Sequence, residues 1–125
     1  MNFKENNRPI YLQIADRISY DIMNGTYRPD DRLPSVREYA ASVEVNANTV
    51  MRTYDYLSSK DIIYNKRGIG FFVSHDAKDN IVTLRRRTFL EEDITDFFKE
   101  LEILGISPSE LSEMYTKYLN SSHSN

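Results

Sequence analysis

A short polar run near the middle of the chain carries the residues best suited to chemistry. Asn46, Asn48 and Thr49 stand at the predicted start of a helix. Arg52 follows one turn later. Amide, hydroxyl and guanidinium groups hydrogen-bond to base edges and phosphates, and a helix end can enter a groove of duplex DNA. The run therefore indicates recognition of nucleic acid.

Catalytic residues in a recognisable arrangement are missing by comparison. The chain has no Cys, which excludes thiolate chemistry and disulfide bonds. Its two histidines, His75 and His123, have no second ligand at metal-binding spacing. No nucleophile elbow, phosphate-binding loop or HExxH motif occurs. We therefore expect no enzyme activity, no bound metal and no cofactor.

The size and charge of the chain set broad limits on its function. Its 125 residues suffice for one domain, or for one small domain with an appendage. No signal-peptide pattern or membrane-length apolar run occurs, which favours a cytoplasmic protein with no membrane partner. Residues 1–76 contain ten basic and ten acidic residues, whereas residues 77–125 contain six basic and nine acidic ones. The net charge of −3 therefore does not exclude DNA binding, if basic side chains gather on one face of the N-terminal part.

Two helices are predicted ahead of the polar run. Pro9 suits the first turn of a helix whose isoleucines recur every four residues, and Asn24-Gly25 ends that helix. The segment from Thr26 to Pro34 contains two prolines and is predicted to be a loop. Ser35 and Glu38 match a capping box, which indicates the start of a second, short helix.

The polar run itself begins a third helix. The second helix is expected to end near Val43, with a turn at Glu44-Val45. Asn46 is a favourable N-cap for the next helix. One face of that helix is apolar at i, i+4 and i+7 spacing, through Val50, Tyr54 and Leu57.

A β-hairpin is predicted after the third helix. Ile62–Tyr64 and Phe71–Val73 are short β-prone runs separated by a segment with two glycines. Lys66 and Arg67 are expected at the tip of this hairpin, and Gly68 lets the backbone approach a ligand closely. Two helices, a turn, a third helix and a basic hairpin together predict an α+β fold, the winged helix-turn-helix.

The C-terminal part is predicted to be helical. Ser74 to Asn80 is polar and is interpreted as a joint. Apolar residues then follow a heptad-like rhythm in a long helix closed by Gly105, and a capping box at Ser107 starts a last helix. We interpret these stripes as a dimerisation surface, formed by Leu90, Ile94, Phe97, Phe98, Leu101 and Leu104 in the first of these helices and by Leu111, Tyr115 and Tyr118 in the second.

Three segments of the chain resemble the DNA-binding domain of the GntR family of bacterial transcription regulators. These segments read LPSVRE, VNANTVMRTY and NKRGIGFFV, and the likeness covers residues 9–74. The motif NxNTVxRxY and the short C-terminal part resemble the YtrA subfamily in particular. The resemblance implies a winged helix-turn-helix DNA-binding domain followed by a short helical dimerisation element. We place the DNA-binding domain at residues 1–76 and the two-helix C-terminal dimerisation element at 77–120, and the polar composition of residues 121–125 predicts a flexible tail.

The resemblance also implies a function and a set of DNA-binding residues. It implies a homodimer that binds double-stranded operator DNA with two-fold symmetry, usually as a repressor. By their positions in the family's motifs, the residues implied to recognise DNA are Arg37, Asn46, Asn48 and Thr49. Those implied to form the DNA-contacting part of the wing are Lys66, Arg67 and Gly68. The chain departs from the family pattern at Ala47, where relatives often carry Arg or Pro, and at Met51, where relatives often carry a polar side chain that contacts a base.

Structural roles compete with several of these assignments. Arg37 could pair with an acid such as Asp55, Asn46 could serve only as an N-cap, and Asn48 and Thr49 could lie on a solvated face. Arg52 could hold the second helix or the wing in place, although contact with DNA is an equal alternative. Arg85-Arg86-Arg87 is more typical of a solvated charge run than of a phosphate site.

Other functions compete with DNA binding as well. A winged helix can bind a protein partner through its groove-facing surface. A small-molecule effector could instead bind between the C-terminal helices, beside Tyr115, Tyr118 and Phe97-Phe98. The chain does not identify such an effector.

Overall fold

The computed structural model describes residues 8–122. The chain divides into two compact units, of which the first ends at Leu84 and the second begins at Arg85. The elements of the first unit are the helices α1 (Ile10–Met23), α2 (Val36–Val43) and α3 (Ala47–Ser59), the strands β1 (Ile63–Lys66) and β2 (Gly70–Val73), and most of helix α4 (Ala77–Thr88).

Helix α1 contributes one apolar side to the core. Pro9 is its N-cap and Asn24 its C-cap, as the sequence predicts within one residue. Ile14, Ile18 and Ile22 are buried together with the intervening Ala15. The first isoleucine of the repeat, Ile10, is 57% exposed, so the buried stripe begins one turn later than the spacing predicts.

Helix α2 begins and ends where the local signals predict. The Ser35 N–H donates to Glu38 Oε1 at 2.9 Å, and the Glu38 N–H donates to Ser35 Oγ at 3.1 Å, which completes the capping box. Glu44 takes a left-handed φ of 56° after the helix. The Val45 N–H then donates back to the Ala40 carbonyl at 3.0 Å and ends the helix.

Helix α3 supplies the centre of the core. Val50, Tyr54 and Leu57 are fully buried, which confirms the predicted apolar face. Tyr54 donates its hydroxyl proton to the Pro34 carbonyl at 2.7 Å and meets the Phe71 ring edge-on at 5.0 Å. Burial raises the pKa of Tyr54 well above its ordinary value, so the hydroxyl stays protonated and remains a donor.

The wing has three pairing segments rather than the predicted two. Strands β1 and β2 pair antiparallel from Ile63↔Val73 to Lys66↔Gly70. Arg32 bridges Phe72 on the other edge of β2. Hydrogen bonds on both sides of Arg32 complete this pairing, from the Leu33 N–H to the Phe71 carbonyl and from the Val73 N–H to the Asp31 carbonyl. The predicted loop therefore contains a short strand segment. The sequence does not predict this segment because the prolines on either side of it favour a loop.

Helix α4 belongs largely to the first unit. Ala77 and Ile81 are buried in the same core as α1 and α3. Asn80 Nδ2 donates to the Asp61 carbonyl at 2.8 Å, and the Ser74 N–H donates to the Ile62 carbonyl at 3.0 Å. The interpretation of residues 74–80 as a joint is therefore wrong. The first unit also extends beyond the domain boundary predicted after residue 76, because buried apolar contacts continue into α4.

The second unit is helical. A single π-helical turn, Phe89–Asp93, follows α4 and leads into α5 (Ile94–Leu104), whereas the sequence predicts an uninterrupted helix. Gly105 (φ 69°) ends α5 as predicted, with the Ile106 N–H donating to the Leu101 carbonyl at 2.9 Å.

The last helix, α6 (Pro108–Ser122), starts after Ser107, whose Oγ accepts the Glu110 N–H at 3.1 Å. It continues through Ser122, so the predicted flexible tail from residue 121 is partly helical, and residues 123–125 lie outside the described part. His123, one of the two histidines considered above, is among them.

Candidate nucleic-acid interface

The N-terminal tip of α3 is built around Asn46. Its side-chain Oδ1 accepts the Asn48 N–H at 2.7 Å, which confirms Asn46 as the N-cap. The cap occupies the Asn46 oxygen, and its amide N–H groups remain as donors. No acidic residue lies in the first turn of α3, so the partial positive charge of the helix N-terminus is not neutralised there. The tip is therefore suited to hydrogen-bond acceptors and to phosphate.

The face of α3 opposite the core is exposed and carries polar side chains. Asn48 and Arg52 are exposed, and their i, i+4 spacing puts them one turn apart on the same side of the helix. Thr49 is half-buried at the flank, and the buried Thr53 faces the core. The tip therefore presents Asn48 foremost, with Arg52 about 6 Å further back along the helix axis.

Arg52 is held against α1. Its guanidinium carbon lies 4.1 Å from the centre of the Tyr11 ring, in cation–π geometry. Tyr11 in turn meets the Tyr56 ring edge-on at 6.2 Å. The neighbouring Thr53 donates its hydroxyl proton to the Tyr11 carbonyl at 2.7 Å. The sequence suggested a structural role for Arg52 toward α2 or the wing, but its partner is α1. A stacked guanidinium keeps its N–H edge available for a phosphate.

Arg37 lies in the first turn of α2 and is exposed. Within the part of the chain that the structure describes, no ion pair joins it to Asp55, the partner that the sequence suggested. The neighbouring carboxylate, Glu38, is engaged in the capping box. Hydrogen bonds with Ser35 lower the pKa of Glu38, and the Arg32 charge adds a smaller effect in the same direction. The guanidinium of Arg37 therefore remains available to a ligand.

The tip of the wing consists of Arg67, Gly68 and Ile69. Gly68 has a φ of 79°, and the Ile69 N–H donates to the Lys66 carbonyl at 2.9 Å to close the turn. Lys66 was expected at this tip, but it is the last residue of β1 and pairs with Gly70. Its Nζ lies 4.7 Å from the centre of the Phe72 ring. The side chain of Lys66 therefore lies along the sheet, whereas Arg67 lies in the turn itself and is exposed.

Two residues near this surface carry no signal in the local sequence. Arg32 lies against Gly70, and a Cβ atom at position 70 would stand 3.0 Å from the Arg32 Nε. A Cβ atom there would be closer than ordinary van der Waals contact, so the Arg32 side chain would have to shift, and the φ of 145° also favours glycine. Tyr11 is the other residue, through its contact with Arg52. Both contacts join segments far apart in sequence, so spacing along the chain does not reveal them.

The second unit presents a large apolar surface, which we call the α5–α6 surface. None of the residues of α5 and α6 is buried. Of the predicted dimerisation residues, Ile94, Leu101 and Leu111 are half-buried and the others are exposed: Leu90, Phe97, Phe98, Leu104, Tyr115 and Tyr118. Ile103, which the heptad rhythm omits, is 76% exposed. Exposed apolar groups of this size and number are typical of interaction surfaces.

Metal-binding and membrane-spanning features are both lacking between residues 8 and 122. No group of His, Asp and Glu in this range has the proximity needed to hold a metal ion. No helix in the same range combines the length and apolar character required to cross a membrane.

Comparison with known proteins places the chain among transcription regulators. The sequence profile of the bacterial regulatory proteins of the gntR family matches residues 10–73. A solved GntR-family transcriptional regulator from Bacteroides thetaiotaomicron is 53% identical, with a TM-score of 0.78 over 92% of this chain and 100% of that chain. The HTH-type transcriptional repressor YtrA of Bacillus subtilis is 33% identical over 84% of this chain and 80% of its own length.

A further structural match contains DNA. It is AraR(DBD) in complex with an operator, which is 30% identical with a TM-score of 0.51, over 53% of this chain and 80% of that chain.

Proposed function

This chain belongs to the GntR family of bacterial regulatory proteins, the DNA-binding transcription regulators with a helix-turn-helix, and we propose that it is a repressor that binds a two-fold symmetric operator as a homodimer. The observation that carries this proposal is the tip of α3. Asn46 caps the helix, Asn48 stands exposed beside it, and Arg52 is held one turn behind.

Each element has a defined task in the proposed complex. The tip of α3 enters the major groove, where Asn48 forms two hydrogen bonds with an adenine and Thr49 contacts a phosphate or a thymine methyl group. Arg37 reaches a phosphate or a guanine from the start of α2. Arg67 and Gly68 bring the wing to the sugar-phosphate backbone or to a narrow minor groove, where the potential is most negative.

The α5–α6 surface is the proposed dimer interface. Phe97, Phe98, Tyr115 and Tyr118 are all about half exposed or more. A second copy of the chain would cover these rings and present the same surface in return, as a two-fold interface requires. The two recognition helices would then lie one helical turn of DNA apart, about 10 bp, or a small multiple of that distance.

Support for repression comes from a relative, because YtrA of Bacillus subtilis is named a transcriptional repressor and matches most of this chain. A repressor of this kind meets its operator in the cytoplasm, which is where we propose that the chain acts.

Two measurements test the proposal with the full chain. Gel-shift assays should show retention of a duplex from the chain's own promoter region at low salt, with a scrambled duplex of equal length as control. Analytical ultracentrifugation should give the mass of a dimer, and Phe98→Asp should give a monomer with weaker operator binding. A monomeric wild type, or equal retention of both duplexes, would refute the proposal.

A further inference from the structure

The tip of α3 lacks the two side chains that most often recognise guanine. Arg and Lys recognise guanine through its O6 and N7 acceptors, and this is the commonest specific contact in the major groove. Residues 46–51 contain neither Arg nor Lys. The nearest cation along the helix is Arg52, one turn behind the tip, and it is held against α1 by stacking on Tyr11 at 4.1 Å, with its N–H edge assigned to a phosphate. The base-reading groups at the tip are therefore amides, a hydroxyl and apolar side chains.

Two apolar side chains are exposed at this same tip. Ala47 is the first residue of α3 and is exposed, and Met51 is 36% exposed. Their i, i+4 spacing stacks them along one side of the helix. Long helical side chains cover the surface of the preceding turn, so Met51 extends the apolar area toward Ala47. This strip borders Asn48, which precedes Met51 by three residues.

The major groove offers one apolar group to such a strip. Among the four bases only thymine carries a methyl group there, at C5, and it lies beside the O4 acceptor. Adenine, its partner, shows the N7 acceptor and N6 donor that match the amide of an Asn. An Asn amide beside an apolar strip is thus complementary to A·T pairs, because the amide matches adenine and the strip matches the thymine methyl group. A G·C pair would leave the strip against polar edges.

We infer that the tip of α3 selects A·T pairs, with Asn48 on an adenine and the Ala47–Met51 strip on the C5-methyl group of a neighbouring thymine. The inference concerns the base pairs beneath α3, and Arg37 on α2 can read a base elsewhere in the half-site. It rests on the proposed function, because it requires α3 to lie in the major groove.

The test begins by identifying the site. The purified full chain is used to select duplexes from a random library, and binding to the enriched sequence is measured by fluorescence anisotropy. Failure to enrich any sequence would refute the proposed function and this inference together. Enrichment of a site allows the inference to fail on its own, which separates the two outcomes.

Thymine methyl groups are then removed one at a time. Each thymine of the enriched half-site is replaced by deoxyuridine, which lacks only the C5-methyl group. At least one replacement should weaken wild-type binding about three- to fivefold, as expected for the loss of one buried methyl group. If no replacement has an effect, the inference is wrong.

Protein variants connect the methyl group to the strip. In Met51→Ser and Ala47→Ser the sensitivity to that deoxyuridine should disappear in at least one variant, whereas Met51→Leu should retain it because Leu is also apolar. Met51→Arg should shift the enriched base toward guanine. Because Met51 and Ala47 lie outside the core, thermal melting should confirm that all variants are folded. Equal deoxyuridine sensitivity in the wild type and in both Ser variants would overturn the inference.

Discussion

The contact between Arg52 and Tyr11 allows a sharp test of how the recognition helix is held. We predict that Tyr11 contributes to DNA binding only through Arg52. The variants are Arg52→Ala, Tyr11→Leu and the double variant, with Tyr11→Phe as the matched control. Phe keeps the ring beneath the guanidinium, whereas Leu keeps an apolar side chain without a π face. The hydrogen bond from Thr53 to the Tyr11 carbonyl is accepted by the backbone and should survive in every variant.

The expected size of the effect follows from the geometry. The guanidinium carbon lies 4.1 Å from the ring centre, and the Arg52 side chain is exposed. A cation–π contact at an exposed site contributes about 0.5–1 kcal/mol. The contact is present without DNA, so this energy is the most that losing the orientation of Arg52 can cost. Tyr11→Leu should therefore weaken operator binding by at most about fivefold, since about 1.4 kcal/mol corresponds to a factor of about ten. Loss of a phosphate contact in Arg52→Ala should also reduce the slope of log affinity against log salt by about one.

The assay is fluorescence anisotropy on an operator duplex at several salt concentrations. In the Arg52→Ala background, Tyr11→Leu should cost little further affinity, because the ring has no cation to orient. The double-mutant cycle removes effects that Tyr11→Leu has on its packing with Tyr56. Tyr11→Phe should bind like the wild type.

Two results would refute this reasoning. If Tyr11→Leu lowered affinity equally with and without Arg52, the ring would act independently of the guanidinium. If Arg52→Ala left the salt slope unchanged, Arg52 would make no phosphate contact, and its stacking on Tyr11 would serve the fold alone.

Three further predictions concern the tip, the wing and α2. Asn48→Ala should cost about 1–3 kcal/mol of operator binding and relax selection at one base pair, and an equal loss on scrambled duplex would contradict base reading. Arg67→Ala should lower the salt slope by about one, whereas Lys66→Ala should change it less because Lys66 lies along the sheet; the reverse order in anisotropy titrations would contradict this placement. Ser35→Ala should lower the free energy of unfolding by about 1 kcal/mol through loss of the capping box, with Ser35→Asp as the conservative control in urea denaturation, and an unchanged midpoint would show that the cap is dispensable.

Several helix ends could be predicted from the sequence because their signals are local, whereas the start of α4 and the π-helical turn after it could not. The capping box at Ser35, the N-cap at Asn46 and the stop at Gly105 each depend on residues within a few positions of one another. The apolar face of α3 follows from the helical period. The polar residues at the start of α3 could also be identified as candidate DNA contacts, because this assignment depends on residue type and position in the helix and not on a contact with a distant segment.

The tertiary structure alone decided which distant segments pack against one another. The strand segment at Arg32 exists because β2 accepts it on its free edge, although two prolines near it predict a loop. Residues 77–84 complete the first core because Ala77 and Ile81 are buried against it, although their polar neighbours suggest a joint. The stacking of Arg52 on Tyr11 joins α3 to α1 in the same way. Such contacts depend on which segments folding brings together, and the spacing of residues along one segment carries no record of its distant neighbours.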